Sequence, residues 1–369
     1  MKIEVITLFG VWNYGSVLQA LATQSFFEEL GHEVEFINYR RRPYHSVGGF
    51  IHDVCKDDSG LKSLLKPIVY LPSVLRWQVV FGEFCKKFLH ISKQVFTTPD
   101  DLHRNVPKAD IYCTGSDQVW NSTLNGGVLP QFFLDFAPAG SRCISFSASF
   151  GKDELDEWEI EETRRLLSRY DYITCRESSG VDICHGLGMD RVHQVLDPTL
   201  LLHRDYWQRF VGNRPVKQKY LLVYQLHKEE GMDVYIRELS RRRGLKIVRV
   251  CYRYDECRKL GYPMLIPSVV ELLTAICHAD LVVTDSFHGT AFSTNFQKDF
   301  ISIVPAHQFG GRINSLLSLT GLQRRAVSRF DDFSPMDNVI DWKQVDEVYD
   351  RERRETGEFF AGLLGSVNA

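Results

Sequence analysis

The sequence has little charge imbalance, no closely paired cysteines and no long apolar run, and each absence removes a class of function. Its 44 Lys and Arg stand against 47 Asp and Glu, a formal net charge of -3, so no basic field argues for nucleic acid as a partner. The nine cysteines, at 55, 85, 113, 143, 175, 184, 251, 257 and 277, include no C-x-x-C pair. That excludes a zinc or disulfide framework and fits reduced structural thiols in a reducing compartment. The opening MKIEVITLFGVWNYG has only a short apolar stretch before Asn13, too little for a signal peptide or a membrane span. The chain is therefore expected to begin as a strand in the cytoplasm. The segment NYGSVLQ lacks the G-x-G-x-x-G spacing of a dinucleotide turn. His278, His288 and His307 lie ten and nineteen residues apart without paired carboxylates at ligand spacing, so no metal site is expected. There is no internal repeat and no low-complexity tract.

What is present is an alternation of apolar runs and helical periodicity. A chain of 369 residues, 44% hydrophobic and 25% charged, is an ordinary globular composition and longer than one core usually grows, so two domains are predicted. KIEVITLF reads as a strand, SVLQALATQSFFEELG as an amphipathic helix and EVEFINY as a second strand, a βαβ unit with parallel strands. The pattern continues through ADIYCTG, CISFSASF, YDYITCR and RVHQVL. It loses its period over 199–218, then resumes with YLLVYQL, LKIVRVCY, DLVVTD and DFISIVP. The prediction is two Rossmann-like α/β domains facing each other across a cleft. They are 1–198, with a helical insertion over about 44–100, and 219–342, joined by a linker at 199–218; a last helical stretch occupies 343–369. Residues 61–96 break the alternation. They carry Lys62, Lys66, Arg76, Lys86, Lys87 and Lys93 against the single acid Glu83, six minus one or +5. They read either as an inserted helical hairpin with a solvated basic face or as a surface for peripheral contact with anionic lipid.

Open α/β sheets bind ligands beyond the carboxyl ends of their strands. In the second domain those ends are Gln225 to Lys228, Cys251 to Arg253, Asp285 to His288 and Pro305 to His307, rich in cations and imidazoles. With helix N-termini nearby, they suit a small, multiply charged anion. His288 stands out: it follows a buried strand, Gly289 behind it permits close backbone approach, and Asp285 is near enough in sequence to fix its ring. In the first domain Asn13, Tyr14, Gly15 and Ser16 lie between a strand and its helix, where Asn13 or Ser16 caps and amides point into the cleft. Ser116, Asp117, Trp120 and Asn121 follow another strand; the Trp120 ring is either a sugar platform or packing. Arg176 ends a further strand, as a ligand contact or a salt bridge.

Together NYGSVLQA, TGSDQVWN, SFSASFG, CRESSGVDI, VLDPTLLL and VVTDSFHGTAFS, with GGRINSLLSLTGL beyond them, resemble the polysaccharide pyruvyl transferase family. They occur in the family's order and span residues 13–322. The resemblance implies a fold similar to the GT-B glycosyltransferases, with the acceptor on the first domain and the donor on the second. It implies a cytoplasmic enzyme; contact with the inner face of the membrane rests on the 61–96 reading above. The enzyme would move the pyruvyl group of phosphoenolpyruvate, a co-substrate and not a cofactor, onto a sugar or lipid-linked saccharide, usually as a ketal. It carries the catalytic histidine onto His288, with Asp285 inferred as its orienter and Ser286 and Gly289 beside the donor. Some members have an Arg where this chain has Ser286, and Arg312 and Arg249 are the candidate replacements. A nucleotide-sugar glycosyltransferase is the alternative, although no Glu occurs between Leu272 and Asp346 to hold a donor ribose. A non-catalytic anion-binding relative is the third reading.

Overall fold

Parallel strands are covered on both faces, so they are apolar throughout instead of alternating. The computed structural model describes residues 1–41, 46–56, 59–304 and 310–365. Its chain divides into unit 1, Met1–Asp57, Phe81–Leu201 and Arg351–Ala369, and unit 2, Asp58–Val80 and Leu202–Asp350.

Unit 1 holds β1 (Lys2–Ile6), β2 (Glu33–Tyr39), β3 (Ile91–Phe96), β4 (Ile111–Thr114) and β5 (Arg142–Ser145), all parallel, in the order β3-β2-β1-β4-β5. A further parallel pair, β6 (Ile173–Cys175) and β7 (Val192–Gln194), is tied to the β5 end by the bridges Ile144 to Tyr172 and Ala148 to Cys175. The helix Tyr14–Glu29 is buried from Tyr14 through Phe27. Phe26, Phe27 and Phe146 close around Phe360, whose ring centroid is 5.8, 5.6 and 5.1 Å from theirs. Phe360 comes from the helix Trp342–Leu364. The sequence left open what this helix packs on; its residues from Arg351 onward belong to unit 1.

Unit 2 has six parallel strands: β8 (Tyr220–Tyr224), β9 (Lys246–Cys251), β10 (Tyr262–Leu265), β11 (Leu281–Thr284), β12 (Phe300–Ile303) and β13 (Ala326–Val327). Their order is β10-β9-β8-β11-β12-β13. In each unit the order reverses at the first strand, between β1 and β4 and between β8 and β11, and such a reversal opens a crevice at the carboxyl ends. The helix Phe287–Asn295 after β11 is wholly buried. It lies so close to the sheet that a Cβ on Gly289 would fall 2.3 Å from Thr284 Oγ1 and 2.8 Å from Tyr224 Cδ1.

Three strands escaped the sequence pattern. β3 was read as part of the helical insertion, but ISKQVF pairs with β2 as a partly exposed edge. β10 contains Pro263, which a sheet tolerates at an edge, and β13 has only two residues. Nor is 61–88 a hairpin: Leu61–Phe88 is one helix of 28 residues containing Pro67 and Pro72. Trp77 Nε1 donates to the Tyr252 carbonyl at 2.6 Å and Ser73 Oγ accepts from Tyr254 N at 3.0 Å, anchoring its first part within unit 2. The region 199–218 carries the short helix Arg204–Gln208. All nine cysteines are free thiols, and burial pushes those of Cys85 up to about 12 and of Cys143 and Cys251 up to about 11, leaving them unreactive.

On β1, Glu4 is fully buried, with Lys2 Nζ 2.8 Å away and Lys2 shared with Glu35. Burial, opposed by the Lys2 ammonium, pushes the Glu4 carboxyl up to about 7 from its ordinary 4.5. The folded protein thus holds a proton that the unfolded chain releases between those values, and stability falls as pH rises through that window. Glu4→Gln should lose less stability than wild type in thermal melts compared at pH 5 and pH 8; parallel losses would mean that Glu4 is ionised throughout. Gly289→Ala should cost about 1–3 kcal/mol by overpacking, and an unchanged denaturant midpoint would refute the close contact.

Candidate active site

In unit 2 the crevice between β8 and β11 is shaped by short polar links. Thr284 Oγ1 donates to the Tyr224 carbonyl at 2.7 Å and accepts from Ser286 N at 3.0 Å. Ser286 then caps the following helix, its Oγ accepting from Gly289 N at 3.2 Å. His288 is the second residue of that helix and 8% exposed. Its ring meets the edge of Phe287 at 5.2 Å, and the Arg312 guanidinium lies 5.9 Å from the centroid of the same Phe287 ring. Arg312 belongs to the first turns of the helix Gly310–Leu319. Ser286, His288 and Gly289 therefore sit together at the end of β11, with Arg312 against the neighbouring Phe287 ring.

Two expected roles are corrected. Asp285 does not orient His288: its Oδ1 accepts from Leu226 N at 2.6 Å, and its Oδ2 accepts from His227 N at 2.7 Å and lies 3.1 Å from His227 Nδ1. The imidazole it holds is that of His227, whose side chain is 37% exposed while the carboxylate is fully buried. Arg249 is not available to a donor. Its Nε donates to the Leu260 carbonyl at 2.8 Å, one terminal nitrogen donates to Gln225 Oε1 at 2.7 Å, and the other pairs with Asp233. Of the two candidate replacements for the missing Arg, Arg312 is the one that lies against the Phe287 ring. His227 was within reach of the sequence, since it ends β8, but it sits far from Asp285 along the chain and nothing local signals the pairing. Pro305, Ala306 and His307 lie outside the described residues.

Nearby, Tyr224 OH and Tyr252 OH are 2.9 Å apart. Burial pushes the Tyr224 phenol up to about 12, with its hydrogen bonds to Tyr252 and Ser286 pulling the other way. It remains protonated and able to donate at neutral pH. Among the described residues no group of three or more His, Cys, Asp or Glu is arranged to hold a metal ion.

In unit 1 the corresponding reversal lies between β1 and β4. Asn13 is the cap, its Oδ1 accepting from Gly15 N at 2.8 Å and Ser16 N at 3.3 Å, so those two amides are consumed and do not point to a ligand. Ser16 Oγ donates instead to Asp117 Oδ2. Asp117 holds a φ of 80°, rare without glycine, and its carbonyl accepts from Ser149 N at 3.1 Å. Arg176, with 1% of its side chain exposed, donates to Asp197 Oδ2 at 2.9 Å and lies 3.6 Å from Glu177 Oε2. Burial opposes its charge, yet Asp197, Glu177 and Asp117 outweigh that and hold the guanidinium above its ordinary value. Glu177 Oε1 accepts in turn from Ser149 Oγ at 2.7 Å. Ser16, Asp117 and Arg176 thus meet in one buried network with Ser149, Glu177 and Asp197, three residues the sequence reading passed over although each follows a strand.

The other expected contacts are packing. Trp120 is buried, stacked on Phe133 at 5.3 Å with Nε1 donating to the Phe132 carbonyl at 3.0 Å, so it offers no face to a sugar. Tyr14 is buried with its ring edge on Phe81 at 5.0 Å, and Ser116 is buried, its carbonyl accepting from Thr7 Oγ1 at 2.6 Å. Asn121 caps the turn Ser122–Asn125 and donates to Gln118 Oε1 at 2.8 Å. Gly151, at φ 64°, is required beside this pair, because a Cβ would fall 2.1 Å from Gln118 Oε1.

Structurally the chain is similar to an S. aureus protein, MnaA, solved with UDP: TM-score 0.55, 11% identity, 100% of this chain and 98% of that one. It is also similar to a Listeria monocytogenes protein assigned as a UDP-N-acetylglucosamine 2-epimerase: TM-score 0.52, 10% identity, 96% and 90% of the two chains. At such identities the likeness is one of fold, the two-unit Rossmann-like arrangement of the GT-B class. No curated protein matches the sequence. The sequence profile of the family described as polysaccharide pyruvyl transferase matches residues 13–307, and the chain belongs to that family.

Proposed function

We propose that this protein transfers the pyruvyl group of phosphoenolpyruvate to two hydroxyls of a sugar, in a cell-surface polysaccharide or its precursor, forming a ketal. The observation that carries the reading is Ser286 and His288 at the β11 end, with Arg312 against the neighbouring Phe287 ring, within a chain of this family. The donor is a trianion of which the enol carbon C2 becomes electrophilic once C3 gains a proton. His288 delivers that proton, converting CH2 to CH3. One sugar hydroxyl adds to C2 and loses its proton, the C2–O bond to phosphate breaks, and the second hydroxyl closes the ketal. Of the two hydroxyl protons, one balances that placed on C3 and the other leaves with inorganic phosphate. Arg312 takes the charge role of the Arg absent at Ser286, its guanidinium 5.9 Å from the centre of the Phe287 ring that neighbours His288. His227, braced by Asp285, is a second imidazole at the same strand ends. No cofactor enters this scheme, because the donor brings its own leaving group. Acceptor binding is assigned to unit 1, where Asp117 is the most exposed member of the buried network.

Phosphoenolpyruvate at about 100 times its dissociation constant should stabilise the protein by roughly 2.7 kcal/mol, visible as a raised Tm, while uridine diphosphate sugars should leave Tm unchanged. The opposite pattern would replace this reading by nucleotide-sugar transfer. Arg312→Ala should abolish the phosphoenolpyruvate shift. His288→Ala should retain the fold and most of the shift but lose about 10²- to 10⁴-fold in kcat. Full turnover by that variant would remove His288 from the chemistry, and absence of turnover in wild type across saccharide acceptors would favour a binding role only.

A further inference from the structure

The helix Leu61–Phe88 carries a feature that the transfer chemistry does not use. Leu64, Ile68, Leu71, Leu75 and Val79 are 69, 68, 40, 48 and 45% exposed. Their spacing of four, three, four and four residues aligns them along one side of the helix. Leu65 and Val69 widen the stripe at 50 and 45%. The opposite side is the buried one, with Val74, Trp77 and Val80 at 0, 8 and 4%. From Leu64 to Val79 the stripe runs about 22 Å at 1.5 Å per residue. Scattered exposed leucines are ordinary, but a continuous aliphatic row of this length marks a contact surface.

Charge decides what the surface meets. Between Leu61 and Gly82 the chain has Lys62, Lys66 and Arg76 and no acid, and Glu83, Lys86 and Lys87 follow in the last turns. Over the whole helix five cations stand against the single acid Glu83, a net of +4 (five minus one), so a second copy laid on this stripe would meet like net charge, which disfavours self-association. The exposed row also contains only Leu, Ile and Val, without the Tyr, Trp or Arg anchors typical of protein interfaces. Aliphatic side chains on a helix of net positive charge suit acyl chains beneath anionic headgroups. Among the described residues no helix is long and apolar enough to cross a membrane, so the helix would lie along the surface.

We infer that the helix Leu61–Phe88 docks this protein on an anionic lipid surface, with Leu64, Ile68, Leu71, Leu75 and Val79 inserted and Arg76 at headgroup level. The inference does not depend on the identity of the donor. Its test is co-sedimentation of the full chain with vesicles of phosphatidylglycerol and phosphatidylcholine, against vesicles of phosphatidylcholine alone, with light scattering run in parallel. Wild type should bind the mixed vesicles and not the neutral ones. The triple variant Ile68→Asp, Leu71→Asp, Leu75→Asp, shown by its melt to be folded, should bind at least about tenfold more weakly. Arg76→Glu should weaken binding about fivefold or more at low salt. Failure of wild type to bind the mixed vesicles at low salt, or binding that ignores lipid charge, would overturn the proposal. So would a solution dimer that the triple variant converts to monomer, since the stripe would then be a self-interface.

Discussion

The carboxylate of Asp285 is the point on which the unit 2 strand ends depend. It is fully buried, and it is tolerable there because the two amides after β8 and the His227 ring surround it. A buried carboxylate needs such donors, and in taking them it sets the path of the chain from β8 beside that from β11. The positions of Ser286, of His288 behind it and of the Arg312 that shares the Phe287 ring follow from that bracing. A residue expected to tune one histidine thus turns out to fix the frame on which two are displayed.

Unit 1 solves the same problem with more charge. Three carboxylates, Asp117, Glu177 and Asp197, surround the single guanidinium of Arg176, and hydroxyls of Ser16, Ser149 and Thr199 take up the remaining acceptor capacity. Such a network is costly to break at any member, since each loss leaves a buried charge unanswered. It joins the segments that follow five strands, β1, β4, β5, β6 and β7, and it leaves Asp117 in a backbone conformation that only firm surroundings maintain.

Much of this was readable from residue order. The parallel sheets, the helix behind β11 and the prominence of His288 follow from apolar runs ending in polar residues, because buried strands show themselves without any partner being known. Edge strands did not: β3 is polar on its open side, β10 contains a proline and β13 is too short to leave a pattern. Side-chain partners were also hidden. Whether Trp120 faces a sugar or a Phe ring, and whether Arg249 is offered or already held by Gln225 and Asp233, depends on contacts distant in sequence. Local composition carries no record of them.

The last helix has a consequence for how the chain is made. Phe360 completes an aromatic cluster whose other members, Phe26, Phe27 and Phe146, are synthesised far earlier, and unit 1 also surrenders Asp58–Val80 to unit 2 before resuming at Phe81. Domains generally fold as units, N-terminal first, while synthesis proceeds. Here the N-terminal unit cannot finish its core until the chain has been made and released as far as Phe360, so its early chain waits with apolar surface uncovered. A fragment ending at Leu201 would lack the same piece permanently, and the two units are one folding problem despite having two sheets.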